Sequence, residues 1–413
     1  MSLSKRTVNL TVLVASLGYF VDIYDLQLFN IVSKQSLVGI GITDAELLAK
    51  YDYQLFLWQM AGMLVGGILW GVIGDKKGRK NILFGSILMY SLANIANAFV
   101  INIEQYILVR FVAGLGLAGE LGAAITLVNE VMSKEKRGIG TMLIVTMGVL
   151  GAVAVAFVNW LDVQIAGLQN WQTMYIIGGV LGLLLLGLRM GTFESKMFEE
   201  SRKKAVQKGN FFMLFNNKER FLRYMYCIVI GLPVWYCVGV LAKFAEGFAA
   251  TNGVQGTVTT GFAIMWLYVG LSAGDLLSGL LSQAWRSRKK VVLGYLIATV
   301  VVTLIYLFLQ GISSAMFYFL CFLIGCASGY WALFVTVASE SFGTNIRATV
   351  TTTVPNFVRG AVIPITLSFK FFEGYVGNIN AALIMCGICL LLAITGASLL
   401  PETFAKDLNY HEE

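Results

Sequence analysis

Long runs of apolar residues alternate with short polar stretches along the whole chain. A helix that crosses a bilayer needs about 20 predominantly apolar residues, and many of the runs reach that length. We predict twelve spans, near residues 8–32, 54–74, 81–101, 104–132, 138–161, 171–191, 220–248, 258–284, 290–310, 314–342, 347–374 and 379–401. The pattern therefore predicts an all-α membrane protein with twelve transmembrane helices.

The composition supports this interpretation. The 413 residues are 57% hydrophobic and 13% charged, whereas soluble domains carry about 25% charged residues. The formal charge of +7 does not indicate nucleic acid as a partner, because the basic residues cluster in short loops. The six cysteines lie in apolar segments without zinc-ligand spacing, and His411 is the single histidine. We therefore expect no metal site and no cofactor, and a lipid bilayer around the chain.

The loops after spans 2, 4, 8 and 10 are basic. They contain KKGRK (76–80), KEKR (134–137), RSRKK (286–290) and Arg347, whereas loops 33–53 and 162–170 are poor in lysine and arginine. Basic loops of membrane proteins stay on the cytoplasmic side. We therefore expect both termini and the long connection 192–219 in the cytoplasm, in a multi-pass protein of the bacterial inner membrane.

Two charged landmarks recur in the second half of the chain at nearly the same offset. They are Gly71-x-x-x-Asp75, repeated as Gly279-x-x-x-Gln283, and Glu130 followed by Arg137, repeated as Glu340 followed by Arg347. The repetition predicts two six-helix bundles, 1–191 and 220–413, joined by a linker at 192–219, with a short cytoplasmic tail. Parallel repeats place a substrate cavity between them near the midplane, which opens alternately to each side.

The segment GVIGDKKGRK (71–80) resembles the loop signature of the major facilitator superfamily, Gly-x-x-x-Asp-Lys/Arg-x-Gly-Arg/Lys-Arg/Lys. GYFVDIYDLQLFNIV (18–32) is similar to the first span of its phosphate and metabolite proton symporters, and AGELGAA (118–124) to a run of the metabolite symporters. Arg110 with Tyr24-Asp25 is similar to the proton site of its sugar symporters. The resemblance covers essentially the whole chain and implies the twelve-helix major facilitator fold with proton-coupled transport.

The same resemblance implies a cytoplasmic gate. We expect six residues to form it: Asp75, Arg79, Glu130, Arg137, Glu340 and Arg347. Asp75 ends span 2, and its charge is favoured against a helix N-terminus of the other half. The second-half copy departs from the pattern at Gln283, where the family has aspartate, and at Gly343, where many relatives have proline. Gln283 predicts that the second-half copy forms a weaker gate than the first-half copy.

Four charged residues inside the spans are candidates for proton coupling: Asp22, Asp25, Arg110 and Glu120. A charge in a membrane normally faces a partner or a watery cavity. Asp25 and Arg110 lie at similar depths on their helices, so they can pair. A carboxylate that alternates between an apolar environment and an arginine can load and release a proton. Fixed ion pairs for Arg110 and Glu120, and a packing role for Asp22 beside Asn30, are the structural alternatives.

Span 11 presents Thr352, Asn356 and Arg359 on one face, with Arg359 near the bilayer centre. A guanidinium binds a carboxylate through two parallel hydrogen bonds, so we expect Arg359 to bind an anionic group of the substrate. Its alternative role is a permanent pair with an acid of span 1 or span 4. Further substrate contacts are expected from Asn356, Trp235, Tyr236, Tyr330 and Trp331. Such aromatic residues are equally common in packing and at membrane interfaces.

These features predict a proton-coupled symporter of a small polar metabolite, an organic anion or an amino acid, that works as a monomer by alternating access. A proton-driven antiporter that exports a drug or a siderophore shares the fold and is an alternative, as are an uncoupled facilitator and a receptor without transport. An enzyme is disfavoured, because the sequence shows no nucleophile–base pair and no metal-ligand set. The glycine-rich run GLGLAGELG also lacks the lysine of a phosphate-binding loop.

Overall fold

The computed structural model describes residues 5–132, 137–162, 164–165, 167–189, 210–407 and 410–412, and these ranges include side chains except at 5–10, 79–80, 129–130, 137–138, 141, 149 and 189. Within these ranges the chain is almost entirely helical. Most of the predicted linker 192–219 lies outside the described residues. Its described end contains one short 3-10 helix, Phe211–Leu214, before span 7 begins.

The first half contains six spans. In chain order they are span 1 (Lys5–Gly39), span 2 (Ala45–Lys77), span 3 (Arg79–Asn97), span 4 (Ile103–Leu117 and Glu120–Val131), span 5 (Arg137–Trp160) and span 6 (Asn170–Arg189).

The second half begins with span 7, in which the helix Lys218–Tyr236 continues through a π-helical turn, Cys237–Ala242, to the helix Ala245–Thr251. The helices that follow are span 8 (Thr260–Ala284), span 9 (Arg288–Phe308), span 10 (Ser314–Ser328 and Trp331–Ser341), and the helices Arg347–Gly360 and Val362–Leu399, which contain spans 11 and 12.

Length decides how the last helices cross the membrane. The stretch Arg347–Leu399 has 53 residues, which corresponds to roughly 80 Å of helix, whereas a bilayer core is about 30 Å thick. The chain reverses at Gly377, whose φ of 77° lies in the left-handed region, and this glycine separates span 11 from span 12. By length and apolar composition, ten described stretches can cross a membrane. Dividing this stretch and adding Arg79–Asn97 confirms the twelve predicted spans.

Spans 4 and 10 are each broken near the middle, although the sequence predicted continuous helices there. Span 4 breaks between Leu117 and Glu120, and span 10 between Ser328 and Trp331. A break exposes backbone N–H groups that need partners inside a membrane. In span 10, the Asp275 carboxylate meets this need, because its Oδ1 accepts a hydrogen bond from the Ala332 N–H at 2.9 Å.

The two halves meet closely on one side of the molecule, which we call the basic-loop side because it adjoins residues 76–80 and 286–290. Span 2 packs against span 11 there, and span 5 against span 8. A Cβ added at Gly71 would lie 2.9 Å from Thr349 Cα, and one added at Gly67 would lie 2.8 Å from Asn356 Cβ. Small residues allow such close backbone approach between membrane helices, so the halves close this side.

Candidate functional site

A cavity of about 900 Å³ lies between the halves on the opposite side, which we call the vestibule side. Residues of spans 1, 2, 5, 7, 8 and the 11–12 region line it. Two contacts between the halves narrow this vestibule. Lys243 Nζ donates to Asp52 Oδ2 at 2.7 Å, and the hydroxyls of Tyr53 and Thr366 hydrogen-bond at 2.9 Å. These contacts join residues that are far apart in the chain.

A much smaller central cavity, of about 40 Å³, lies deeper between the halves. Its chemically distinctive lining residues are Tyr19, Trp235, Tyr268, Asp275, Trp331 and Arg359. A third cavity, of about 10 Å³, is lined by Gln27, Asn30 and Tyr268. It lies between the other two, because it shares Tyr268 with the central cavity and Asn30 with the vestibule. The volume of the central cavity is enough for about one water molecule. A metabolite therefore fits only after the halves or the aromatic side chains move apart.

Arg359 connects the two halves at this cavity. Its Nη2 lies 3.9 Å from Asp22 Oδ2 of span 1, and both side chains are 1% exposed. Its Cζ lies 5.6 Å from the centre of the Trp331 ring, and its Nη1 donates to Asn356 Oδ1 at 3.4 Å. At 3.9 Å the contact with Asp22 is an ion pair without a hydrogen bond. The structure thus shows Arg359 paired with an acid of span 1, which was the alternative to its expected role in substrate binding.

The structure separates the expected substrate residues into two groups. Trp235 and Trp331 line the central cavity and pack edge to face, with ring centres 6.3 Å apart. Tyr236 and Tyr330 do not line it, because their hydroxyls donate to the backbone carbonyls of Ala382 and Ile230 inside the second half. The hydroxyls of these two tyrosines therefore point into the second half and away from the central cavity.

Asn356 lies beside the cavity and joins spans instead of lining it. Its Nδ2 donates to the carbonyl of Ala118 at 2.8 Å and to that of Thr352 at 2.7 Å. Its Oδ1 faces Arg359. Asn356 therefore faces the guanidinium and joins span 11 to the break in span 4. Its expected contact with the substrate stays a prediction.

Asp25 and Arg110 lie inside the first half and away from the central cavity. Both are fully buried, and none of the ion pairs of the described residues joins them. Arg110 Cζ lies 4.6 Å from the centre of the Phe29 ring. Asp25 faces Arg110, Asn94 and Asp22 electrostatically, and span 6 approaches it at Gly178, where an added Cβ would meet Asp25 Oδ1. The two charges are thus neighbours in one buried site without direct contact.

A chain of buried hydroxyls leads from Arg110 towards the vestibule side. Arg110 Cζ lies 5.8 Å from the centre of the Tyr175 ring. The Tyr175 hydroxyl hydrogen-bonds that of Tyr106 at 2.7 Å, which in turn bonds Ser36 Oγ at 2.8 Å. Ser36 Oγ also donates to the Ser33 carbonyl. Because Ser36 uses its own hydrogen for Ser33, Tyr106 donates to Ser36 and Tyr175 donates to Tyr106. The Tyr175 oxygen is then left as an acceptor on the Arg110 side.

Glu120 is fully buried and is the first residue of the second half-helix of span 4. A carboxylate is favoured at this position by the helix dipole. Glu120 does not belong to the lining of the central cavity. The expected role of Glu120 in proton coupling stays a prediction. Its support is that Glu120 is a buried acid at the break of a membrane helix.

On the basic-loop side, Asp75 lies against the N-terminus of span 11. Its Oδ1 accepts from the Ala348 N–H at 3.0 Å, and its Oδ2 accepts from the Thr349 N–H at 2.7 Å. The carboxylate is 1% exposed. The side chains of three other expected gate residues, Arg79, Glu130 and Arg137, lie outside the described residues.

The last two expected gate residues, Glu340 and Arg347, have described contacts near the end of span 10. Glu340 Oε1 lies 3.2 Å from Arg288 Nη2, and its Oε2 accepts from the Thr403 hydroxyl at 2.9 Å. Arg347 Nε donates to the Phe342 carbonyl at 3.3 Å. Arg288 is the first residue of span 9, and its side chain meets the end of span 10. The partner of Glu340 is therefore set by packing and not by distance along the chain.

The profile of the Major Facilitator Superfamily matches residues 15–367. The chain belongs to the major facilitator superfamily. It is 26% identical over 393 residues, 94% of this chain and 89% of the relative, to a protein of Cupriavidus pinatubonensis named "Probable 4-methylmuconolactone transporter". It is 27% identical over 248 residues, 60% of this chain and 59% of the relative, to the "3-(3-hydroxy-phenyl)propionate transporter" of Escherichia coli.

Among solved structures, this major facilitator resembles that of the proton:xylose symporter XylE bound to 6-bromo-6-deoxy-D-glucose. The TM-score is 0.75 at 17% identity, and the match covers 98% of each chain. This likeness shows the fold. The superfamily profile and the relatives named as transporters identify the chain as a multi-pass membrane transporter and not an enzyme.

Sequence reasoning missed three features of this major facilitator's sites. Tyr19 and Tyr268 line the central cavity, and Asp52 narrows the vestibule through its contact with Lys243. Tyr19 belongs to the same motif as Asp22, and about one helical turn separates the two residues, so helical spacing was a usable signal. The other two depend on contacts between distant spans, which no local pattern reveals.

Proposed function

We propose that this transporter carries a small organic anion that combines a carboxylate with a ring. The observation that supports this most is Arg359 in the wall of a cavity lined by aromatic residues. A buried guanidinium binds a carboxylate through two charge-assisted hydrogen bonds, and tryptophan and tyrosine rings bind a flat apolar ring by stacking or edge contact. The names of the relatives, a methylmuconolactone and a hydroxyphenylpropionate transporter, support the same substrate class.

We propose that transport is coupled to protons. In this structure Arg359 pairs with Asp22 at 3.9 Å. A substrate carboxylate that binds Arg359 competes with Asp22 and adds a negative charge inside the membrane, which costs at least a few kcal/mol. Proton uptake at Asp22 offsets the added charge. Asp25 beside Arg110 is the candidate for storing a proton within the first half, and Glu120 is a further candidate.

We propose that the basic-loop side faces the cytoplasm of a bacterial inner membrane, with both termini on that side. In this orientation the vestibule opens outwards, and Asp75 against span 11 keeps the cytoplasmic side closed. The halves 1–191 and 220–413 rock about the central cavity and open it alternately to each side. We propose that one chain is sufficient, because the cavity is built from both halves of the same monomer.

Transport assays in proteoliposomes test these proposals. Purified protein is reconstituted, and uptake of radiolabelled benzoate, a simple ring carboxylate, is measured with the vestibule side facing an acidic or a neutral exterior. Accumulation that requires the acidic exterior supports symport. Expulsion driven by the same gradient supports the antiporter, and gradient-independent equilibration supports the facilitator. Absence of uptake and of competition by any ring carboxylate would refute the substrate class.

Two variants test the residue assignments. Asp25→Asn resembles a permanently protonated carboxyl, so we expect exchange of labelled for unlabelled benzoate to continue while gradient-driven accumulation is lost. Glu120→Gln shows the same pattern if Glu120 is the obligatory proton site. Full accumulation in both variants contradicts these roles and directs attention to Asp22. Arg359→Lys keeps the charge but loses the planar fork, and we expect weaker binding in a folded protein.

A further inference from the structure

Asp275 is a buried carboxylate for which the transport scheme gives no role. It lies in span 8, is 2% exposed and lines the same cavity as Arg359. Its Oδ1 accepts from the Ala332 N–H at 2.9 Å, and the Trp331 N–H also interacts with the carboxylate. These groups begin the second half-helix of span 10, where a negative charge is favoured. The helix end therefore holds the carboxylate at the cavity wall.

Trp331 defines where Asp275 lies relative to Arg359. The backbone of Trp331 is at the Asp275 end, whereas its ring lies beneath the Arg359 guanidinium, 5.6 Å from Cζ. One tryptophan side chain thus extends from the carboxylate to the cation. A flat ring that packs on Trp331 with its own carboxylate at Arg359 directs its far edge towards Asp275.

Tyr19 shows that a phenol fits in the part of the central cavity near Arg359 and Asp275. It lines the cavity, and its hydroxyl interacts electrostatically with Arg359, Asp22 and Asp275. Asp275 also has acceptor capacity beyond its backbone contacts, because a carboxylate offers about four lone-pair sites. An apolar ring edge placed against it would leave part of that capacity unsatisfied inside the membrane, which is unfavourable.

We propose that Asp275 accepts a hydrogen bond from a hydroxyl group on the substrate ring, and that the site therefore selects hydroxylated ring carboxylates over unsubstituted ones. This inference rests on the proposed function, in which Arg359 binds the carboxylate. Sites built to bond a substrate hydroxyl discriminate strongly against the analogue that lacks it, since a buried polar group is otherwise left without a partner.

The test measures uptake of radiolabelled benzoate into proteoliposomes in the presence of unlabelled competitors. The five competitors are benzoate, 3-hydroxybenzoate, 4-hydroxybenzoate and the two corresponding methoxybenzoates. In the unmodified protein we expect at least one hydroxybenzoate to bind about tenfold more tightly than benzoate, because a hydrogen bond to a charged group is involved. The matching methoxybenzoate, which has no hydrogen to donate, should lose the whole advantage. This comparison needs no mutation and so does not depend on the folding of a variant.

Asp275→Asn then assigns the preference to the residue. The amide oxygen can still accept from the Ala332 N–H, so we expect the break in span 10 to persist. The ratio of benzoate to hydroxybenzoate affinity should fall to within about twofold of unity, because the charged acceptor is lost. Arg359→Lys is the matched control, and it should weaken all five acids alike and leave the ratio unchanged.

The outcomes separate this inference from the proposed function. If none of the five acids competes, the proposed substrate class fails. If they compete but the unmodified protein does not distinguish hydroxybenzoates from benzoate, the role of Asp275 is refuted while the substrate class stands. An unchanged preference in a folded Asp275→Asn protein refutes the role in the same way.

Discussion

The contact of Asp75 with span 11 allows a quantitative prediction about which side of the transporter is open. Asp75 is 1% exposed and accepts two backbone hydrogen bonds across the halves, at 3.0 and 2.7 Å. In the proposed alternating-access cycle, these bonds form only while the basic-loop side is closed. Their strength therefore acts directly on the equilibrium between the two states, because a contact shifts populations by its difference between them.

Asp75→Asn keeps one acceptor oxygen but loses the charge and the second acceptor. Hydrogen bonds to charged groups contribute about 1.5–3 kcal/mol, and the attraction to the helix terminus is part of that contribution. We take about 2 kcal/mol for the loss, which corresponds to about a thirtyfold change in the ratio of the two states. The variant should open the basic-loop side and transport more slowly, since closure on that side becomes less favourable.

Hydrogen–deuterium exchange followed by mass spectrometry measures this shift without added labels. We expect faster exchange in Asp75→Asn for peptides that cover the end of span 2 and the start of span 11. Asp52→Asn is the matched control, because it removes the charge partner of Lys243 on the vestibule side. It should speed exchange near Lys243 and leave the basic-loop side protected. Identical exchange in both variants and the unmodified protein would refute the idea that these carboxylates hold the halves together.

Two further predictions concern stability. Gly178→Ala places a Cβ against Asp25 Oδ1, so we expect a loss of about 1–3 kcal/mol in the free energy of unfolding. The control is Gly187→Ala, whose added Cβ meets no atom within 4 Å and should not lower the melting temperature in detergent. An equal loss of stability in both variants would contradict the explanation. Burial raises the pKa of Glu402, but hydrogen bonds such as that from the Arg288 N–H outweigh it and hold this pKa below its usual value. The stabilisation by Glu402 is therefore present at neutral pH and is lost as the pH falls through that lowered pKa. Glu402→Gln should lower the melting temperature at pH 7, by an amount equivalent to about 0.3–1 kcal/mol, and the difference should vanish in acid; a constant difference would exclude the charge as its source.

Local sequence was sufficient for the architecture of the transporter. Apolar length determines which segments cross a bilayer, because the thickness of the membrane is fixed. The signature at 71–80 indicated the family, and charges within the spans, such as Asp22 and Arg359, indicated which helix faces point into the protein. These features depend on residues close together in the chain, so a pattern can detect them.

The partners of those charges were decided only by the tertiary structure. Arg359 lies beside Asp22, Glu340 beside Arg288, and Asp25 apart from Arg110. Helical periodicity tells which residues share a face and roughly how deep they lie. It does not tell how far each helix is rotated or which other helix it meets, because packing of all spans together sets both.

The broken helices also show the difference between what the sequence determines and what the packing of the spans determines. The glycines around Gly119 and Gly329 mark flexible points in the sequence, but a break inside a membrane is stable only where the freed N–H groups find acceptors. In span 10 the acceptor is Asp275, which is distant in the chain and comes from span 8. The sequence could identify Asp275 as a membrane charge, whereas its place at a helix end beside Trp331 follows from the packing of two spans.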